Sequence, residues 1–267
     1  MATLTNGIQF TGSIGDITGY TRKGSDKNYI RSKGGISRQR ILTAPEFELC
    51  RQNSSEFRGC GKAASSIRKA IFPVAHLTAP NFNIISKATI IIKAIQKLDV
   101  DGDRGKRAIR FSQYKHILEG FNLNPMQSID GIILPPLHCT IDRETGVATV
   151  LLPALHPGIN LLLPWSYPMY RFIAHLGALS DMAHEETGYS STAAHRLPYA
   201  LPAYTAWQYT RQPYAGETIS IQLQHLENLD TSTTLLLSVG LEMGTPVTDT
   251  LVTPEKKKGC AKILKVG

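Results

Sequence analysis

Apolar and polar residues follow different periods in the two halves of the chain. In the first half the spacing is helical. Phe47, Cys50, Phe57, Ala64, Ile67, Ala70 and Ile71 form one stripe, which predicts a helix over about 45–71 that ends before Pro73. Thr43 reads as its N-cap, Pro45 suits the first turn, and Glu46 and Glu48 lie at the positive end of the helix dipole. Gly59 and Gly61 weaken the middle and read as sites of close packing against another backbone. Ile84, Ile85, Ala88, Ile91, Ile92 and Ile95 predict a second helix over about 80–98, with Lys87, Lys93 and Lys97 along its polar side. The charged run 99–105 reads as a turn, and residues 106–120 as a mix of short helix and strand.

From about residue 137 the period falls to two. Segments 137–142 and 147–152 flank Arg143-Glu-Thr-Gly146, a hairpin signal. Further strands are expected at 170–179, 203–211, 218–224, 233–243 and 261–266; Thr-Ile-Ser-Ile-Gln-Leu-Gln at 218–224 alternates strictly. Short strands separated by turns, with no helix between them, argue for an antiparallel β-sandwich. Residues 180–202 read as one long polar and aromatic loop, of the kind that is functional or covers a neighbour.

A third pattern lies at the start. Residues 16–22 and 27–33 read as two strands around the turn Lys23-Gly-Ser-Asp26. Alternation puts Tyr20, Arg22, Lys27, Tyr29, Arg31 and Lys33 on one face, and Ile17, Gly19, Thr21, Asn28 and Ile30 on the other. Neither face carries enough apolar area for a hairpin to stand alone in water. The arm must lie on its own body, on a neighbouring copy or on a polyanion. The fold expected is thus α+β: an antiparallel β-sandwich body with two helices and an N-terminal β-hairpin arm. Its expected divisions are an arm over 1–43, a helical segment over 44–120 and a sandwich domain over 121–267.

Charge sharpens this picture. Residues 1–115 carry 20 Lys and Arg against 8 Asp and Glu, whereas residues 116–267 carry 9 against 13. A basic half and an acidic half suit either nucleic acid or head-to-tail contact between copies, which gives rings or filaments. The four cysteines, Cys50, Cys60, Cys139 and Cys260, form no Cys-x-x-Cys pair and read as reduced thiols. No apolar run reaches membrane-spanning length, and residues 1–8 lack the features of a secretory signal. The setting expected is the cytoplasm, or an assembled particle released from the cell.

Candidate chemistry is sparse. Asp99, Asp101 and Asp103 resemble the start of a calcium loop, but Arg104 stands where glycine is needed and Arg110 where the bidentate Glu belongs. Of the eight histidines, His175, His184 and His195 read as exposed loop residues, since His184-Glu-Glu is not the His-Glu-x-x-His of a zinc helix. Neither a nucleophile elbow nor a P-loop is present. With no acid and base to pair, the chain reads as a non-enzyme without cofactor, metal or small-molecule substrate. Nine Trp and Tyr residues in 165–214, including Trp165 and Trp207, suit strand ends, a protein interface or a carbohydrate face.

The segments Gly12-Ser-Ile-Gly15 with Tyr20, Arg31-Ser-Lys-Gly-Gly35, Ala44-Pro-Glu-Phe47, Glu56-Phe57, Gly61-Lys-Ala63, Leu118-Glu-Gly-Phe121 and Leu155-His-Pro-Gly-Ile-Asn160 resemble a family of uncharacterised proteins from Bacteroidota. The resemblance covers most of the chain. It implies a bacterial or bacteriophage-related source and no catalytic residue. The opening motif also resembles smaller proteins of the same phylum, which implies that the arm is a reusable piece. The expected function is self-assembly into a filament, tube or particle, with the chain itself as partner and Tyr20, Arg22, Lys27, Tyr29, Arg31 and Lys33 as contacts. The alternatives are nucleic-acid binding through the same residues and a ligand-binding sandwich.

Overall fold

The structure is a computed structural model and describes residues 2–4, 10–79 and 82–267. It divides into two compact units, residues 1–51 and 52–267.

In the first unit the expected hairpin is present. β3 (Ile17–Thr21) and β4 (Asn28–Ser32) pair antiparallel, with Tyr20 opposite Tyr29. It is only the centre of a larger sheet. β2 (Gly12–Ile14) adds to β3 and β1 (Ala2–Leu4) adds to β4, giving the order β1-β4-β3-β2. Residues 1 and 5–9 of the expected arm lie outside the described residues. Phe10 lies over Gly19, and among residues 10–51 only Gly19 and Asn28 are buried. The basic stretch after the sheet is itself a helix, α1 (Arg38–Thr43), capped by Ser37, whose hydroxyl accepts from the Arg40 amide at 3.2 Å. Thr43 is therefore not the N-cap of the next helix. It closes α1, and its hydroxyl donates to the Gln39 carbonyl at 2.9 Å. A short 3₁₀ turn, Pro45–Phe47, then leads into α2 (Glu48–Ala70).

In the second unit α2 and α4 (Ile84–Lys97) are the long helices. α4 begins later than its apolar pattern suggests, because Asn83 caps it by accepting from the Ser86 amide at 3.1 Å; Pro80, the expected start, lies outside the described residues. Its buried stripe is Ile84, Ala88, Ile92, Ile95 and Gln96, while Ile85 and Ile90 face outward. Three single-turn helices, α3 (Phe72–Ala75), α5 (Phe111–Tyr114) and α6 (Ile129–Ile132), add to the expected pair.

The strands of the second unit are antiparallel wherever they pair. β5 (His138–Asp142) and β6 (Val147–Leu152) form the expected hairpin, and Asp142 braces its turn by accepting from the Glu144 and Thr145 amides. β13 (Glu217–Gln224) joins β6, and β10 (Tyr199–Ala200) completes the order β10-β13-β6-β5. The other large sheet is built on β7 (Met169–Ser180), β14 (Thr233–Pro246) and β15 (Val252–Val266), with β11 (Ala203–Tyr204) and β12 (Gln208–Tyr209) on the outer edge of β7. The strand expected at 203–211 is thus two short bridging pieces. The expected loop 180–202 contains a hairpin of its own, β8 (Met182–Glu185) and β9 (Gly188–Ser191).

Period-two alternation places a core on each face of the β7–β14–β15 sheet. Tyr170, Phe172, Ala174 and Leu176 cluster with Leu235, Leu237, Val239 and Leu241, and with Val150 and Ile221 of the other sheet. Ile173, Leu179, Leu236 and Ile263 cluster instead with Cys60, Ile67, Ile71, Ile92 and Ile95 of the helices. A Cβ on Gly177 would collide with the carbonyl oxygen of Ala70, so glycine there lets the end of α2 rest on the strand. Gly59 admits the Tyr189 ring, not another backbone, and Gly61 faces open space. Tyr170, Tyr189 and Tyr214 are buried core residues. His175, expected in an exposed loop, is a buried residue of β7.

The candidate functional sites

Four of the six arm residues, Tyr20, Tyr29, Arg22 and Arg31, come together. Tyr20 and Tyr29 are cross-strand partners with ring centroids 5.7 Å apart and planes at 27°. The guanidinium of Arg22 lies 4.7 Å from the Tyr29 centroid, and that of Arg31 lies 5.5 Å from the Tyr20 centroid. Each ring thus has one of the chain's own cations against it, and the Tyr20 hydroxyl also hydrogen-bonds with Arg22. Lys27 and Lys33 are exposed and stand just beyond the two ends of β4. β2, with Gly12, Ser13 and Ile14 all exposed, is an outer strand whose far edge has no partner among the described residues. Ile14 is 64 % exposed, and Ile17, Ile36, Leu42 and Leu49 are also open to solvent.

A second cluster lies in the 52–267 unit. Glu242 of β14 stands opposite Arg171 of β7 on the helical side of the sheet and is 1 % exposed. Arg171 Nε donates to Glu242 Oε1, and Nη2 of the same guanidinium reaches that oxygen. His76 Nε2 lies 2.8 Å from Glu242 Oε2. Burial alone would push the Glu242 carboxyl up; hydrogen bonds from His76 and Arg171 outweigh it and hold the group below the usual carboxylate range. An ionised carboxylate only accepts, so Nε2 carries the proton of the His76 imidazole. Arg171 is fixed in turn between two aromatic faces, 4.3 Å from the Tyr204 centroid and 4.5 Å from Trp207. Trp207 is half-buried and packs on Arg171, while Tyr204 remains exposed.

Tyr199 packs against His225, whereas Trp165, Tyr167 and Tyr209 line a cleft of about 960 Å³. It is bounded by the segment from Pro157 to Pro168 that leads into β7, and by residues 209–212. Trp165 and Tyr167 are half-buried there, and Tyr209 and Arg211 face them from the other side. Of the calcium-like run only Asp99 is turned inward, where it accepts from the Ala108 amide at 2.6 Å and lies 3.4 Å from Arg110; Asp101 and Asp103 are exposed. His184 packs edge-on to the Tyr189 ring.

The His76–Glu242–Arg171 cluster was not visible as a motif, because its members are separated in sequence and are joined only by strand register. A signal did exist: Arg171 and Glu242 are the single Asp, Glu, Lys or Arg residues of their two strands. Comparison of the chain with protein-family models, curated proteins and solved structures finds no match.

Proposed function

We propose that this is a structural protein that assembles with copies of itself through its N-terminal sheet. The observation that carries this reading is the near absence of a core in the first unit. Of residues 10–51 only Gly19 and Asn28 are buried, while Ile14, Ile17, Ile36, Leu42 and Leu49 stay open. A small sheet of that kind gains its stability from whatever covers it. The edge of β2 that has no partner among the described residues offers a route to strand addition by a neighbouring chain. Residues 1–51 carry eight Lys and Arg against four Asp and Glu, which suits the acidic balance of residues 116–267 in another copy. The two large sheets of the second unit would form the expected β-sandwich body of each subunit. The product would be a filament, tube or shell, in the cytoplasm or released as a particle, and the Bacteroidota resemblance would then be one of kinship.

Nuclease-treated protein, sized by light scattering with and without residues 1–35, tests this. The full chain is expected as a large species and the truncated chain as a monomer. A monodisperse monomer in both forms overturns the proposal. Nucleic acid that survives purification, with affinity falling steeply in salt, would transfer the role of Arg22 and Arg31 to phosphates. The cleft at Trp165 favours a ligand-binding reading as the second choice. A glycan-array or thermal-shift hit lost in Trp165→Ala would support it; Trp207→Ala is unsuitable because Trp207 packs on Arg171.

A further inference from the structure

On the helical side of the β7–β14–β15 sheet lies a pocket of about 530 Å³ with an unusual charge lining. Arg68 reaches it from the last turn of α2, His76 from the residue after α3, and Lys257 from β15. Asn83 and Ile84, the cap and first residue of α4, also line it. The first N–H groups of a fourteen-residue helix have no partner within the helix and present positive potential. No Asp or Glu lines the pocket among the described residues; Glu242 stands behind His76 on its Nε2 side.

Lys257 is placed there at a cost. Glu242 pairs with Gly259 and Gly244 with Pro254, so four residues of β15, 255–258, stand opposite Met243 alone. Within this bulge Lys257 adopts the left-handed conformation, φ 59°, which a side chain beyond Cα disfavours. Bulges that re-aim a side chain recur beside binding sites. His76 is similarly held, since the buried Glu242 fixes its ring from behind while nearly half of its side chain stays exposed.

We propose that this pocket binds a small phosphomonoester. Arg68, Lys257 and the N-terminus of α4 would meet the phosphate oxygens, with His76 as a further donor, and Phe82 and Ile85 would flank the organic part. The inference does not depend on assembly, since every lining residue belongs to the 52–267 unit.

Isothermal titration of the full chain with phenyl phosphate, inorganic phosphate and phenol tests it. Saturable binding of phenyl phosphate is expected, with inorganic phosphate weaker and phenol without effect. Arg68→Ala and Lys257→Gly should each weaken phenyl phosphate about tenfold or more, as loss of a charge-assisted hydrogen bond implies. Both positions are exposed, and glycine suits the backbone of residue 257. Loss of binding in Lys257→Gly with an unchanged or raised melting temperature therefore cannot come from misfolding. Absence of saturable binding to the native chain, equal binding of phenol, or unchanged affinity in both variants would overturn the proposal.

Discussion

Glu242 shows how much one buried side chain can organise. It anchors a β7 arginine, a histidine that follows a helix and, through the arginine, two aromatic rings. Removing it strands a partly buried guanidinium, so Glu242→Ala should cost about 3–5 kcal/mol in urea unfolding. Its depressed pKa gives the sign of the pH effect. The stabilisation is complete above the unfolded carboxyl's pKa and disappears as pH falls through the lower folded value. Glu242→Gln should flatten the acid limb of the stability curve. His175 acts at higher pH. Burial lowers its pKa, so below about pH 6.5 the unfolded chain takes up a proton that the folded chain refuses. Stability should fall by up to about 1.4 kcal/mol per pH unit there, and His175→Leu, compared by urea titration at pH 7 and pH 5, should lose that slope. Lys257→Gly should gain about 1 kcal/mol by relieving a left-handed side chain.

At the level of elements, packing decides where local patterns are ambiguous. Gly177 is the point at which α2 meets β7, and Gly177→Ala should destabilise by about 3 kcal/mol, the upper end for overpacking, because the obstacle is backbone; its urea midpoint against the native chain checks this. The 218–224 strand and the 138–152 hairpin were legible because alternation and turn chemistry agree there. The arm hairpin was legible for the same reason, down to which face carries Tyr20, Tyr29 and the arginines. β1 and β2 were not, since three-residue strands leave no periodicity to read. The start of α2 was misplaced because two capping signals, at Ser37 and Thr43, lie six residues apart and only Ser37 caps. The 203–211 segment alternates weakly, and Pro202 with the inward turn of Thr205, whose hydroxyl accepts from the Phe172 amide, splits it into bridges. The pocket around Lys257 was beyond reach, because a four-residue bulge depends on the register of two strands and leaves no local signature.

The molecule as a whole joins a unit with hydrophobic cores on both faces of a sheet to a unit with almost none among its described residues. Residues 52–267 should therefore hold most of the cooperative unfolding transition. A chain lacking residues 1–35 should keep its melting temperature to within a few degrees, measured by circular dichroism, while losing the assembly proposed above. On the proposed reading the charge asymmetry has a physical outlet, since a basic sheet with almost no core among its described residues would be completed by an acidic surface from another copy. The bulge at 255–258 has a consequence of a different kind. Lys256, Lys257 and Lys258 are exposed and lie where the ladder between β14 and β15 is interrupted, so trypsin should nick the chain there. The liberated C-terminal peptide would still run along β14 from Gly259 to Val266, with Cys260, Ala261 and Ile263 in the cores. The two fragments should travel together through gel filtration and separate only in denaturant, so the chain can be cut into two pieces that still make one fold.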